Sequence, residues 1–397
     1  MGSKVSFRIA ASMFLVLALA ALTPETSKFS PPPDFGQPLA GLPSELLDRF
    51  NDGKSEFESV ETPEQGVGPV FNDVSCANCH NVAAIGGGSA VLETRFGTTA
   101  ADGTFDPMTQ YGGSLIQSQG IGVFGNCDYV GEIVPSQATI TAHRRTTPLF
   151  GLGLVDAVPD STFYAIAANE AHNADGITGT VSVVTNIATG QNAVGKFGWK
   201  GQNPTLFQFA GDAYLNEMGV TSPEFPNENC PQGDCASLSC NPDPGMNDDG
   251  TDVQEFADFM TYLAPPPRGP INASALLGQV VFTSLGCAGC HVANLTTGPN
   301  PVAALNKVTF HPYSDFLLHD MGNLGDGITQ NLATGKLMRT APLWGLRKLT
   351  TYLHDGRATT LDAAILAHDG QAKKARNRYA ALPGYEKTWL TAFLNSL

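Results

Sequence analysis

The chain has 397 residues and a formal charge of −15, with 22 Lys and Arg against 37 Asp and Glu. An acidic balance of this size argues against nucleic acid and anionic membranes, and suits a small basic protein as partner. The length fits two domains, or one with large insertions.

The chain opens like an export signal. Lys4 and Arg8 are followed by an uncharged run over 9–22, with Ala18 and Ala20 forming an A-x-A-like cleavage site. That run falls short of the roughly 18–20 apolar residues a membrane span needs. Residues 1–22 are therefore expected to be a signal peptide, and the mature protein periplasmic or otherwise exported, with no stable membrane insertion. Residues 23–42, with Pro31-Pro32-Pro33, read as a flexible tether. A short amphipathic helix is predicted over 44–50, with Ser44 as its cap and Leu46, Leu47 and Phe50 on one face.

The segment GPVFNDVSCANCH ends at His80, and a glycine-rich stretch follows from Gly86. Residues 93–140 mix β-branched residues with glycine and read as loops with a few short strands. Helical patterns return at 160–172, 205–219 and 253–263. The run 264–272, which carries Pro265-Pro266-Pro267 and Pro270, reads as a linker. A helix over 273–280 then leads through Phe282 into Cys287-Ala-Gly-Cys-His291. The predicted fold is mainly α: two cytochrome c-like haem domains, 43–263 and 273–397, with irregular, loop-rich insertions and a few short strands.

Two cysteines three apart can grip the edge of a haem through thioether bonds, and the next residue then swings an imidazole to the iron. Cys76, Cys79 and His80 form one such Cys-x-x-Cys-His motif, and Cys287, Cys290 and His291 the other. Two covalently bound haems c follow, with His80 and His291 as proximal iron ligands. The remaining Cys127, Cys230, Cys235 and Cys240 imply two disulfides, with three connectivities open. They staple a surface insertion around 220–252. For a sixth ligand, His368 is the leading candidate. A helix capped by Thr359 or Thr360 places Leu361, Ala364, Ile365 and His368 on one apolar face, with Gly370 as its stop. Met321 and Met338 are its rivals.

At this point the chain resembles a known family: the di-haem oxidoreductases related to the bacterial di-haem cytochrome c peroxidases. The carrying stretches are GPVFNDVSCANCHN (68–81), HRRTTPLFGLGLVDAVPD (143–160), KFGWKGQNPTLFQFAGDAYLNEMG (196–219), GCAGCH (286–291), YSDFLLHDMGN (313–323), MRTAPLWGL (338–346) and YLHDGRATTLDAAILAH (352–368). The resemblance implies that His368 takes the place of a ligating methionine, which gives bis-histidine ligation and a lower potential than His/Met. It also implies that Trp199 lies between the two haems and that Glu217 stands over the N-terminal, peroxide-binding one. The family's glutamine ten residues before that glutamate is absent; Phe207 stands there, with Gln208 beside it. Glu217 is then the proton shuttle for O–O cleavage, and Arg144 or Arg145 stabilises developing negative charge. Electrons from a small redox protein would reach the N-terminal haem through the C-terminal one. His319 and His354, each followed by aspartate, read as groups that orient ligands or propionates. The family's interdomain calcium is held partly by backbone carbonyls. The acidic run 247–252 lacks the full EF-hand loop and reads as a solvated loop.

Two other function classes fit the motifs. One is a haem-dependent oxygenase similar to the rubber-cleaving di-haem dioxygenases, and the other a non-enzymatic electron-transfer cytochrome. A large apolar channel to His80 favours the oxygenase, and a small polar pocket containing Glu217 the peroxidase. The length argues against a simple carrier, which needs fewer residues.

Overall fold

The helix expected at 44–50 runs further, over Ser44–Phe57, in the computed structural model, which describes residues 34–397. The expected signal peptide and most of the expected tether lie outside the described residues. Pro43, not Ser44, occupies the cap position, and Leu47 points to solvent. The buried face is instead Phe50, Gly53 and Phe57, spaced three and four apart. Gly53 sets the packing against the Thr251–Tyr262 helix: a Cβ there would lie 2.1 Å from the carbonyl oxygen of Glu255. Only glycine allows so close a crossing. Phe50 and Phe57 then pack on Phe259, at ring separations of 5.4 and 4.9 Å.

The second half repeats the device. Ala273–Leu285 crosses Gly384–Leu394, and a Cβ on Gly278 would lie 1.9 Å from the carbonyl oxygen of Trp389. Phe282 and Phe393 meet at 5.3 Å beside this crossing. Each pair of crossed helices thus carries an aromatic wall next to a Cys-x-x-Cys-His motif.

The helical patterns at 160–172, 205–219 and 253–263 form the helices Asp160–Glu170, Leu206–Ala213 and Thr251–Tyr262. Strands are short and their sheets small. Leu92–Thr99 pairs antiparallel with Ile140–Arg145 and Leu115–Ile116, and Val183–Asn186 with Gln191–Val194. The chain is mainly α with small sheets. No helix among the described residues is long and apolar enough to cross a membrane.

The larger core cluster draws on both sides of 264–272, joining Phe57, Phe197 and Phe256 to Phe310, Phe316 and Trp344. A smaller cluster gathers Phe282, Tyr313, Phe393 and Leu394. The four remaining cysteines pair as Cys127–Cys240 and Cys230–Cys235. The first bond fastens the irregular insertion to the Cys127–Tyr129 strand across 113 residues of sequence, and the second closes a small ring within it.

Candidate functional site

Both motifs begin where backbone geometry forces a turn. Ala273–Leu285 stops at Gly286, whose φ of 91° is a left-handed helix stop, and a single turn over Cys287–Gly289 follows. The first motif forms a similar turn over Cys76–Cys79. Each turn delivers its histidine in the same state. His291 Nδ1 lies 2.9 Å from the carbonyl of Tyr313, and His80 Nδ1 2.9 Å from that of Gly87. A carbonyl only accepts, so Nδ1 carries the proton and Nε2 keeps its lone pair. Burial lowers the pKa of both rings to about 4, which leaves them neutral, the form that binds a metal.

His368 has the same arrangement. The helix carrying it spans Leu361–Ala367 and is capped by Thr360, whose hydroxyl accepts from the Ala363 N–H at 3.1 Å. His368 follows the last helical residue rather than lying inside the helix, so the stop comes before Gly370. Its Nδ1 faces the carbonyl of Ala364 at 2.8 Å, again leaving Nε2 unengaged. Thr360→Ala is expected to cost about 1 kcal/mol, the usual value of such a cap, in chemical or thermal unfolding.

His291, His368, Cys287 and Cys290 line one largely apolar cavity, as do Met321 and Met338. Two buried arginines, Arg145 and Arg339, also line it, and neither has a carboxylate partner among the described residues. Arg145 Nε and Trp344 Nε1 are buried there without any hydrogen-bond partner. Buried cations and orphaned donors in an apolar cavity call for an anionic ligand with an apolar body. A haem, a flat macrocycle bearing two carboxylates, fits that description, and Cys287, Cys290, His291 and His368 are the residues that would hold it.

Trp199 lines the same cavity. Its indole N–H donates to the carbonyl of Arg145 at 2.8 Å, and its ring meets His354 edge-on at 6.2 Å. His319 is held at both nitrogens, Nδ1 by Gln371 at 2.9 Å and Nε2 by Asp315 at 3.0 Å, with Cys290 Sγ 3.7 Å away. It steadies the second motif from behind.

Glu217 stands beside the first motif because the backbone ties it there. It lies in a π-helical turn, Tyr214–Met218, which prolongs the Leu206–Ala213 helix; such turns recur at functional sites. The Asn72 and Asp73 N–H groups donate to the carbonyl of Glu217, at 2.7 and 3.2 Å, and that of Gly68 to Met218 at 3.1 Å. The GPVFND segment is thereby laced onto the turn. Gly68 permits this, since a Cβ there would lie 2.8 Å from Gly219 Cα. Asn72 Nδ2 donates to the Glu217 carboxylate at 2.8 Å. Met218 Sδ lies 3.9 Å from Cys76 Sγ. Burial raises the Glu217 pKa to about 7, helped by the nearby Glu93 charge and opposed by Asn72 and Arg95.

Glu217 also lines a second, polar pocket with Glu93, Arg95, Asp212 and Asn216. Arg95 holds Glu93 through Nε at 2.8 Å and Nη2 at 3.3 Å. Sequence reading missed these residues: Glu93 and Arg95 alternate on one face of a strand that carries no motif, so nothing local marks them.

Arg144 is placed elsewhere. It is 1 % exposed and bound to Asp326, with Nε at 2.8 Å and Nη2 at 2.7 Å, and Lys200 Nζ reaches the same carboxylate at 2.8 Å. It anchors the 326–330 loop and lies 3.7 Å from Glu93, so it supports the polar pocket from behind two of its lining residues, Glu93 and Gln330, without lining it; Arg145 lines the apolar cavity. Gln208 lines the polar pocket, but its amide is committed to Ile187 N and Thr185 O, at 2.9 and 3.3 Å. In the 247–252 run, Asn247 serves Thr221, and Asp248 accepts from the N–H groups of Asp252 and Val253, capping the helix there.

Cavity, buried cations and paired motifs define a haem-binding oxidoreductase. Residues 132–397 match the family described as "Di-haem oxidoreductase, putative peroxidase", and the chain belongs to that family. Its cofactors are haems and it is a peroxidase-like enzyme. No curated protein matches the chain. Solved structures resemble it at low identity, three of which are the following. Hydrazine synthase of Kuenenia stuttgartiensis is 13 % identical, with 98 % of this chain and 100 % of that one covered at a TM-score of 0.40. A MauG-like protein associated with microbial copper homeostasis is 14 % identical, with 94 % of each chain covered at 0.39. A variant of the diheme peroxidase BthA from Burkholderia thailandensis is 14 % identical, with 89 % and 86 % covered at 0.39.

Proposed function

We propose that this protein reduces peroxide at a haem held by Cys76, Cys79 and His80, drawing electrons by way of a second haem held by Cys287, Cys290, His291 and His368. The observation that carries this reading is Glu217: a half-buried carboxyl group tied by its backbone to the first motif, on a polar pocket, with its pKa raised to about 7. The haems, when bound, supply the iron that breaks the O–O bond and a relay for its electrons.

The chain's own residues do the rest. Glu217 takes a proton from the inner peroxide oxygen and returns it to the outer one, a task suited to a carboxylate whose pKa lies near working pH. Asn72 orients it. Arg145 and Arg339 would neutralise propionates, and Trp199 lines the cavity of the second motif beside them. Neither space is lined by Cys76, Cys79 or His80: the apolar cavity belongs to the second motif, and the space that Glu217 lines is polar. That division favours the peroxidase over the oxygenase. The uncharged run at 9–22 supports export, and the charge of −15 supports a small basic electron donor.

Mass spectrometry of protein made in a host competent for cytochrome c maturation should show two haem additions, and Cys287→Ala should lose one. Zinc, or no haem at all, would overturn the assignment. Reduced-minus-oxidised spectra with added peroxide, oxygen or carbon monoxide test the chemistry. A stable oxygen adduct with no response to peroxide would transfer the protein to the oxygenase class.

A further inference from the structure

We infer that the ε-ammonium of Lys200 is a built-in cation which does, between the two halves of the chain, what a bound divalent ion would do there, so that their junction needs no calcium. This role belongs to the fold and holds whatever reaction the haems carry out.

Lys200 is 0 % exposed, and the three protons of its ammonium meet three oxygens. These are the carbonyls of Thr334 and Leu337, at 3.0 and 2.7 Å, and Asp326 Oδ1 at 2.8 Å. All three come from the second half of the chain, whereas Lys200 comes from the first. Main-chain carbonyls and a carboxylate converging on one point are the donor set of a hard cation. Here that point is taken. Burial pulls the pKa of the ammonium down to about 8, opposed by the Asp326 charge, so it stays a cation at neutral pH.

The resemblance to the peroxidases implies a calcium ion between the halves, held partly by backbone carbonyls. The residues present here do not fit one. Calcium takes about six to eight oxygens at roughly 2.3–2.6 Å, and the Lys200 protons already occupy the three that converge. Asp326 has no oxygen to spare: Arg144 holds Oδ2, at 2.8 and 2.7 Å, and Oδ1 also accepts from the Ile328 N–H at 3.0 Å. A divalent ion would add its charge beside the cations of Lys200 and Arg144, which repel it.

The clamp fastens the turn that carries Trp199. The Trp199 carbonyl accepts from the Arg339 N–H at 2.9 Å, and that of Gly198 from Arg339 Nε at 2.6 Å. Gly198, with φ of 77°, makes the tight turn possible. Lys200 adds the third fastening, onto Leu337 at the start of the same Leu337–Arg339 strand. Lys200 is thus a positioning residue for the indole in the cavity of the second motif.

Thermal unfolding of the haem-loaded protein, with calcium and with EGTA, tests this. The wild type should unfold at the same temperature in both. Lys200→Ala removes the ammonium and leaves a space beside three oxygens that water and an ion can share. In EGTA it should unfold about 5 °C or more below the wild type, as when one partner of a buried ion pair is lost. At about 10 mM calcium, above the roughly 10⁻⁴–10⁻³ M at which weak protein sites fill, most of that loss should return. Lys200→Met refills the space with an uncharged chain, so it should be destabilised and show no response to calcium. A wild type destabilised by EGTA would overturn the inference. So would a Lys200→Ala protein that ignores calcium, or a Lys200→Met protein that responds as strongly. The wild-type comparison needs no variant, so it decides the calcium question even if Lys200→Ala fails to fold.

Discussion

His368→Ala is expected to convert the low-spin signal of one haem to high spin, and to abolish turnover with an external electron donor, while both haems stay attached. The reason lies in which imidazoles are free. Among the histidines lining the apolar cavity, His319 is bound at both nitrogens. His354 lies against Trp199. Besides the proximal His291, only His368 among them combines a ring fixed through Nδ1 with an unengaged Nε2. Axial imidazole in place of thioether lowers a haem potential, so His368→Met should raise the midpoint of one haem in spectroelectrochemical titration and leave the other unmoved. Both effects concern one centre, which separates ligation from a general loss of structure. An unchanged low-spin signal in His368→Ala would pass the role to Met338 or Met321, which line the same cavity.

The features legible in the sequence are those that local spacing determines. Cysteines three apart beside a histidine, a helix leading into the second pair, and the apolar face ending at His368 each sit within about one to four turns of helix. The helix ends were less legible. Ser44–Phe57 extends past 50 because Gly53, a poor helix former, is there to let Glu255 approach, and that partner lies on a distant helix. The roles of charged residues were least legible. Arg144 was expected to face substrate, yet its partner Asp326 lies 182 residues away, and no pattern near either residue announces the pair. Arg95 joins Glu217 only because GPVFND is laced onto a π-turn while the Leu92–Thr99 strand brings Glu93 alongside. Cysteine pairing was open for the same reason: Cys127 meets Cys240 through folding, not spacing.

Glu217→Gln should lose on the order of a hundredfold or more in peroxide turnover, within the roughly 10²–10⁴ that a positioned acid–base group contributes, with both haems bound. The exchange keeps the shape of the side chain and an oxygen to accept from Asn72 Nδ2, so the π-turn and its backbone bonds to Asn72 and Asp73 should persist. What it removes is the proton carrier. The pH profile separates this from a packing defect. With its pKa raised to about 7 by burial, Glu217 is protonated below that pH and cannot accept the proton of bound peroxide. Above it the carboxylate is available. Wild-type kcat/KM should therefore climb as pH rises through about 7, and the climb should vanish in Glu217→Gln, leaving a low, flat line over the same range. Asn72→Ala should keep most of the activity but displace the inflection upward, because the Asn72 donor stabilises the ionised form. A Glu217→Gln protein that retains full turnover, or one whose profile still rises near pH 7, would make Glu217 a structural residue and send the search for the proton carrier to Asp212, the other carboxyl group of that pocket not held by an arginine.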